Sequence, residues 1–284
     1  MARDGRSFSI SLVLGAVISV QVGAAIATTL FDELGPAGTV FLRIAFSALV
    51  LVAIWRPAAS ALRGSGRTEI VFFGLTLAGM NLSFYEALDR IPLGIAVTLE
   101  FVGPLGVAFA SSRRRLDLAW AVLAAGGIVL LAPFPGGALD GGGVALALLA
   151  GVFWGAYILL AAQVGALLSG GTGLALAMCV GAVALVPVGI AGGGAELGDP
   201  ALLAGGFAVA MLSSAIPYSL ELEALRRLPQ GVFGVLMSLE PAVAAGVGFA
   251  LLDQGLVARE VVAIALVVVA SAGALRSAPP AIEV

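Results

Sequence analysis

Ten runs of about 20 predominantly apolar residues divide this chain, at 9–29, 37–55, 69–88, 93–111, 117–133, 143–163, 172–191, 201–222, 230–251 and 257–276. A run of that length spans the roughly 30 Å hydrocarbon core of a bilayer when helical. In lipid every backbone amide and carbonyl must be satisfied internally, so only helices and closed barrels cross. These runs are too long and too uniformly apolar for alternating barrel strands. The connections are short and carry turn signals: GP at 35–36, PFPGGALDGGG at 133–143 and GGGAELGDP at 192–200. A very apolar soluble protein is the alternative. Charged residues make up only 11% of the chain, which would leave such a domain almost no polar surface.

The basic residues orient the spans. All 14 are arginine. With the N-terminus in the cytoplasm, inside segments carry Arg3, Arg6, Arg56, Arg63, Arg67, Arg113, Arg114, Arg115, Arg226, Arg227 and Arg276. Outside loops carry only Arg90 and Arg259, and Arg43 lies within a span. The positive-inside rule therefore predicts that both termini are cytoplasmic. The first run also resembles a signal peptide ending at Ala25-Ile26-Ala27. It is long for that role, and its loss would leave the two halves of the chain unmatched.

The chain is written twice. EALDRIPLGIAVTLEFVGP at 86–104 aligns with EALRRLPQGVFGVLMSLEP at 223–241 without a gap. Glu-Ala-Leu, the arginine, the proline, the glycine and the final proline register at one offset, 241 − 104 = 137. Two halves of five spans each follow, at 1–136 and 137–284. Five is odd, so the second half enters the membrane from the opposite side. Inverted repeats of this kind are common in secondary transporters, whose substrate site lies near the midplane between the repeats. The expected fold is thus an all-α integral membrane protein with ten transmembrane helices in two inverted five-helix repeats. Duplication kept only for packing is the alternative.

Charged groups in the spans are rare, and an intramembrane charge is a functional hypothesis with a bland rival. Glu100 lies 8 residues past Pro92 and Glu240 lies 11 past Pro229. By helical rise that is roughly 12 and 16 Å, near midplane. Pro104 and Pro241 each remove a helical donor, so each carboxylate sits beside an expected helix break. Arg43 reads as a structural ion pair to an acid. Glu86 and Glu221 read as nearer the membrane face. Ala147, Gly151 and Gly155 form a small-residue ridge for close helix packing.

Several chemistries are excluded. The chain has no histidine and no lysine, so P-loop hydrolysis, Schiff-base cofactors and HExxH metalloprotease chemistry are absent. A serine nucleophile has no histidine base, and no Cys/His cluster offers zinc ligands. Its one cysteine, Cys179, cannot close an intrachain disulfide. No enzyme, metal, cofactor or nucleic-acid partner is expected. Proton coupling, if the protein uses it, rests on carboxylates, with Glu100 and Glu240 as candidates.

The segments ALDRIPLGIAVTLEFVGPL, RRLPQGVFGVLMSLEPAVAA and GMNLSFYEAL resemble the ten-span drug/metabolite transporter superfamily. Within it they are most similar to the EamA-type family, in its threonine/homoserine exporter-like branch. The resemblance covers 9–276. It implies a bacterial inner-membrane exporter of small metabolites such as amino acids or analogues. Its implied cavity is lined from spans 1, 3, 4, 6, 8 and 9, which places Gln21, Asn81, Tyr85, Glu100, Trp154, Tyr157, Ser214, Tyr218 and Glu240 near the substrate. A passive facilitator or channel, or a drug exporter of the same fold, is the alternative. A pore would need a more continuous polar lining, and a drug cavity more aromatic residues.

Overall fold

The computed structural model describes residues 2–58, 66–110, 115–131, 139–168, 170–225, 233 and 236–277. These residues form helices α1 (Ala2–Thr28), α2 (Phe31–Trp55), α3 (Arg67–Leu88), α4 (Leu93–Glu100), α5 (Val102–Ala110), α6 (Arg115–Leu131), α7 (Gly141–Leu167), α8 (Thr172–Gly193), α9 (Pro200–Ala210), α10 (Ile216–Leu225), α11 (Glu240–Leu252) and α12 (Ala258–Ser277). No strand occurs among the described residues. Arg63, Arg113, Arg114, Arg226, Arg227 and Pro229 lie outside them, as do most of the expected turn at 133–143 and the start of the expected ninth span.

Five of the described helices have the length and hydropathy to cross a membrane: Phe8–Thr28, Phe31–Trp55, Arg67–Leu88, Gly141–Leu167 and Thr172–Gly198. Leu93–Val107, Ala119–Leu131, Pro200–Ala215 and Glu240–Leu252 are apolar but shorter. Large apolar side chains face outward around the bundle, among them Leu49, Val122, Val183 and Phe249. Water would penalise that surface, whereas lipid matches it. The protein is an all-helical, multi-pass membrane protein.

Helix starts follow local chemistry. Asp140 accepts a hydrogen bond from the Gly143 amide (2.6 Å) and caps α7. Asp199 accepts from the Ala201 and Leu202 amides (2.7 and 3.1 Å) and caps α9, with Pro200 in its first turn. Both satisfy amides that a helix N-terminus leaves without internal partners.

Several runs are not continuous helices. Gly35-Pro36, expected as a connection, instead kinks α2 from within: Gly35 is at φ 64°, ψ 169° between helical neighbours. The fourth run breaks at Phe101, three residues before Pro104, and resumes as α5. The eighth widens into one π-helical turn over Met211–Ala215, which no sequence signal predicted. In the ninth, a turn at Ser238-Leu239 precedes α11, with Pro241 in its opening turn. A proline is tolerated at a helix start because no internal acceptor awaits its missing N–H.

Close packing holds these pieces. A Cβ placed on Gly103 of α5 would fall on the Gly151 carbonyl of α7, and one on Gly151 would lie 2.7 Å from the Glu100 carbonyl. The expected small-residue ridge on α7 therefore seats the broken fourth run. Elsewhere α2 packs on α8, α3 on α7, and α6 on α12.

Candidate functional site

Between these helices lies a cavity of about 250 Å³. It takes its wall from α1, α2, α3, α4, α7, the π-helical turn, α10 and α11. Among the described residues its carboxylates are Glu100, Glu221 and Glu240, and its arginine is Arg43. Gln21, Asn81 and Ser213 add neutral polar groups, while Trp154, Tyr157, Phe84, Met80 and Met237 make it largely apolar. A few polar groups on an apolar concave wall are the usual form of a small-molecule site.

Glu100 is the last residue of α4 and is 8% exposed. Its i+4 residue is Pro104, which has no N–H to give the Glu100 carbonyl. The end of α4 thus places a carboxylate on the cavity wall, and helix C-termini favour cations. Glu240 opens α11 and is 6% exposed. Both were expected near midplane, beside a proline break. The breaks put each at a helix terminus.

Arg43 departs from its expected role. Among the described residues no carboxylate lies within ion-pair distance of it. Its guanidinium carbon sits 5.3 Å from the centroid of the Tyr85 ring, a cation–π contact worth about 0.5–2 kcal/mol. Tyr85 is fully buried and stands behind the wall, not on it. Tyr85 also packs on Phe31 (5.9 Å between centroids), which fixes the platform under Arg43.

The remaining expected residues divide. Gln21, Asn81, Trp154 and Tyr157 line the cavity. The Asn81 amide nitrogen donates to the Leu77 carbonyl (2.9 Å), which leaves its oxygen for other partners. Trp154 meets Phe101 edge-on at 5.2 Å, so the break in the fourth run is braced by an aromatic contact. Tyr157 packs on Phe73 (5.3 Å) and also borders a second, mostly apolar cavity of about 190 Å³ among α3, α7 and α8. Ser214 does not line the main cavity; it forms a hydrogen bond with Ser47 of α2 (3.0 Å). Its neighbour Ser213 takes the cavity position. The side chain of Tyr218 lies outside the described residues.

Three polar or charged members were not expected from the sequence. Arg43 was read as structural, Glu221 as peripheral, and Ser213 lost to Ser214. The π-helical turn explains the last, because it rotates the following residues away from regular helical phase. Ser19 braces that turn by donating to the Leu212 carbonyl (2.7 Å). Glu86, the other peripheral acid, pairs with Arg90 one turn on (3.2 Å) at the exposed end of α3.

Four buried polar atoms on the cavity wall have no hydrogen-bond partner: Gln21 Oε1, Arg43 Nε, Ser213 Oγ and Glu240 Oε2. Buried polar groups are rarely left unpaired, and unsatisfied atoms gathered on one cavity mark where a ligand or water supplies the partner. No group of metal-ligating side chains occurs among the described residues.

Comparison with known proteins agrees with this picture. The sequence model of the EamA-like transporter family matches residues 141–276. Threonine/homoserine exporter RhtA of Salmonella typhimurium (strain LT2) is 42% identical over 266 residues, covering 93% of this chain and 90% of that protein. Threonine/homoserine exporter RhtA of Escherichia coli (strain K12) is 41% identical over the same share of each. A solved structure described only as "Crystal structure of protein" superposes with a TM-score of 0.64 at 18% identity, covering 94% of this chain and 96% of that one, a likeness of fold alone. The chain is a transporter and not an enzyme, and it belongs to the EamA-like transporter family.

Proposed function

We propose that this protein exports small amino acids such as threonine and homoserine across the bacterial inner membrane by alternating access. The observation that carries the reading is the cavity, where acidic side chains from both halves of the chain meet one arginine and several orphaned polar atoms. Its volume of about 250 Å³ is below the usual range for drug-sized ligands, which favours a small metabolite over a drug. The relatives' description as threonine/homoserine exporters points the same way.

Ten spans in two inverted repeats, 1–136 and 137–284, complete the proposal. The helix breaks at Phe101 and Ser238 fall at the offset found in the sequence, 238 − 101 = 137. Helix contacts support the same exchange of halves. α3 packs on α7 as α10 packs on α1, and α5 packs on α7 as α11 packs on α1. α4 meets α11 and α6 meets α12 across the exchange. Rocking one half on the other would then open the cavity to alternate sides. The arginine distribution supports cytoplasmic termini. Proton coupling, in this reading, uses Glu100 and Glu240.

Counterflow in proteoliposomes tests the function. Vesicles loaded with unlabelled threonine or homoserine should accumulate labelled threonine, and Glu100→Gln should lose at least about tenfold of that rate, the equivalent of one charge-assisted contact. Accumulation by both proteins alike would remove Glu100 from the site. No accumulation with any amino acid would overturn the export reading.

A further inference from the structure

We propose that Arg43 is the carboxylate anchor of the site and gives the transporter its preference for zwitterionic amino acids over their carboxylate-free analogues; this rests on the amino-acid reading above. Arg43 is the central residue of α2, twelve residues from either end (43 − 31 and 55 − 43). A guanidinium at that depth is costly and persists where it faces a partner or a cavity. Here it lines the cavity, its Nε is buried without a partner, and no carboxylate of the described residues pairs with it. An arginine held for structure alone would be neutralised by an acid, and three acids are available on the same wall. They are left unpaired with it instead.

The Tyr85 ring beneath the guanidinium helps fix its position, and Arg43 Nε is left without a partner. An arginine edge matches a carboxylate in a bidentate fork. The cavity is therefore bipolar. Arg43 offers the positive pole for an α-carboxylate, and the acid-bearing end of α4 offers the negative pole for an α-ammonium. An uncharged polyol would satisfy neither pole. A simple amine would leave Arg43 unmatched.

Competition against labelled threonine counterflow, using threonine and threoninol as a matched pair, tests this in wild type, Arg43→Gln and Arg43→Lys. Wild type should prefer threonine by roughly tenfold or more, the worth of one charge-assisted pair. Arg43→Gln should bind both compounds at the threoninol level, and Arg43→Lys should keep part of the preference. Equal loss of both compounds in Arg43→Lys, or an unchanged preference in Arg43→Gln, would overturn the proposal. If wild type carries some other amino acid in place of threonine, the export reading is revised while the same comparison, made with that amino acid and its amino alcohol, still decides Arg43. A wild type with no preference for the carboxylate in any such pair would overturn it.

Discussion

Ser213 and Ser214 are adjacent in the chain but face different partners. Ser214 is bonded to Ser47, both buried, whereas Ser213 lines the cavity with its hydroxyl unpartnered. The two should therefore separate stability from binding. Ser214→Ala leaves the Ser47 hydroxyl unsatisfied and should cost about 1–3 kcal/mol, read as a lower midpoint of thermal unfolding in detergent, with substrate affinity unchanged. Ser213→Ala should leave that midpoint in place and weaken substrate competition by about 0.5–1.5 kcal/mol. The opposite pattern would mean that the π-helical turn does not orient these residues as described.

Among the elements, the broken fourth run depends on glycine. α5 approaches α7 so closely that Gly103 and Gly151 leave no room for a side chain, and the contact also holds the α4 terminus that bears Glu100. Gly103→Ala should push the helices apart and cost about 1–3 kcal/mol, with transport falling alongside stability. Gly106 lies on the same helix with nothing within 4 Å of the Cβ it would gain. Gly106→Ala should be harmless or stabilising by up to about 1 kcal/mol, because alanine favours helix. Thermal unfolding of the pair decides the point: equal behaviour would mean that the α5–α7 contact is not tight.

At the scale of the whole molecule, orientation is the testable property. Cys179 is the single cysteine, so a Cys179→Ala background carries no thiol. On it, Ser7→Cys and Ser277→Cys place one thiol near each terminus. A membrane-impermeant maleimide should label both in inverted vesicles and neither in intact cells. Labelling of one terminus from each side would require an odd number of spans and would break the inverted-repeat scheme.

Composition and run length alone determined that this chain is helical and belongs in lipid, because an apolar backbone in a bilayer has few ways to satisfy its polar groups. The spacing of the Pro-Gly motifs exposed the duplication, and the prolines at 104 and 241 foretold the two breaks, since a missing N–H is a local property. Gln21, Asn81, Glu100, Trp154, Tyr157 and Glu240 stood out as polar or aromatic residues within the spans, and the family resemblance placed them near the cavity. Tertiary structure decided the rest. Only the cavity shows that Arg43 lies over Tyr85 with no described carboxylate at ion-pair distance, that Glu221 lines the wall, and that Ser213 replaces Ser214. Those outcomes depend on the phase of a π-helical turn and on which helix lies opposite, and neither is encoded in the periodicity of one segment.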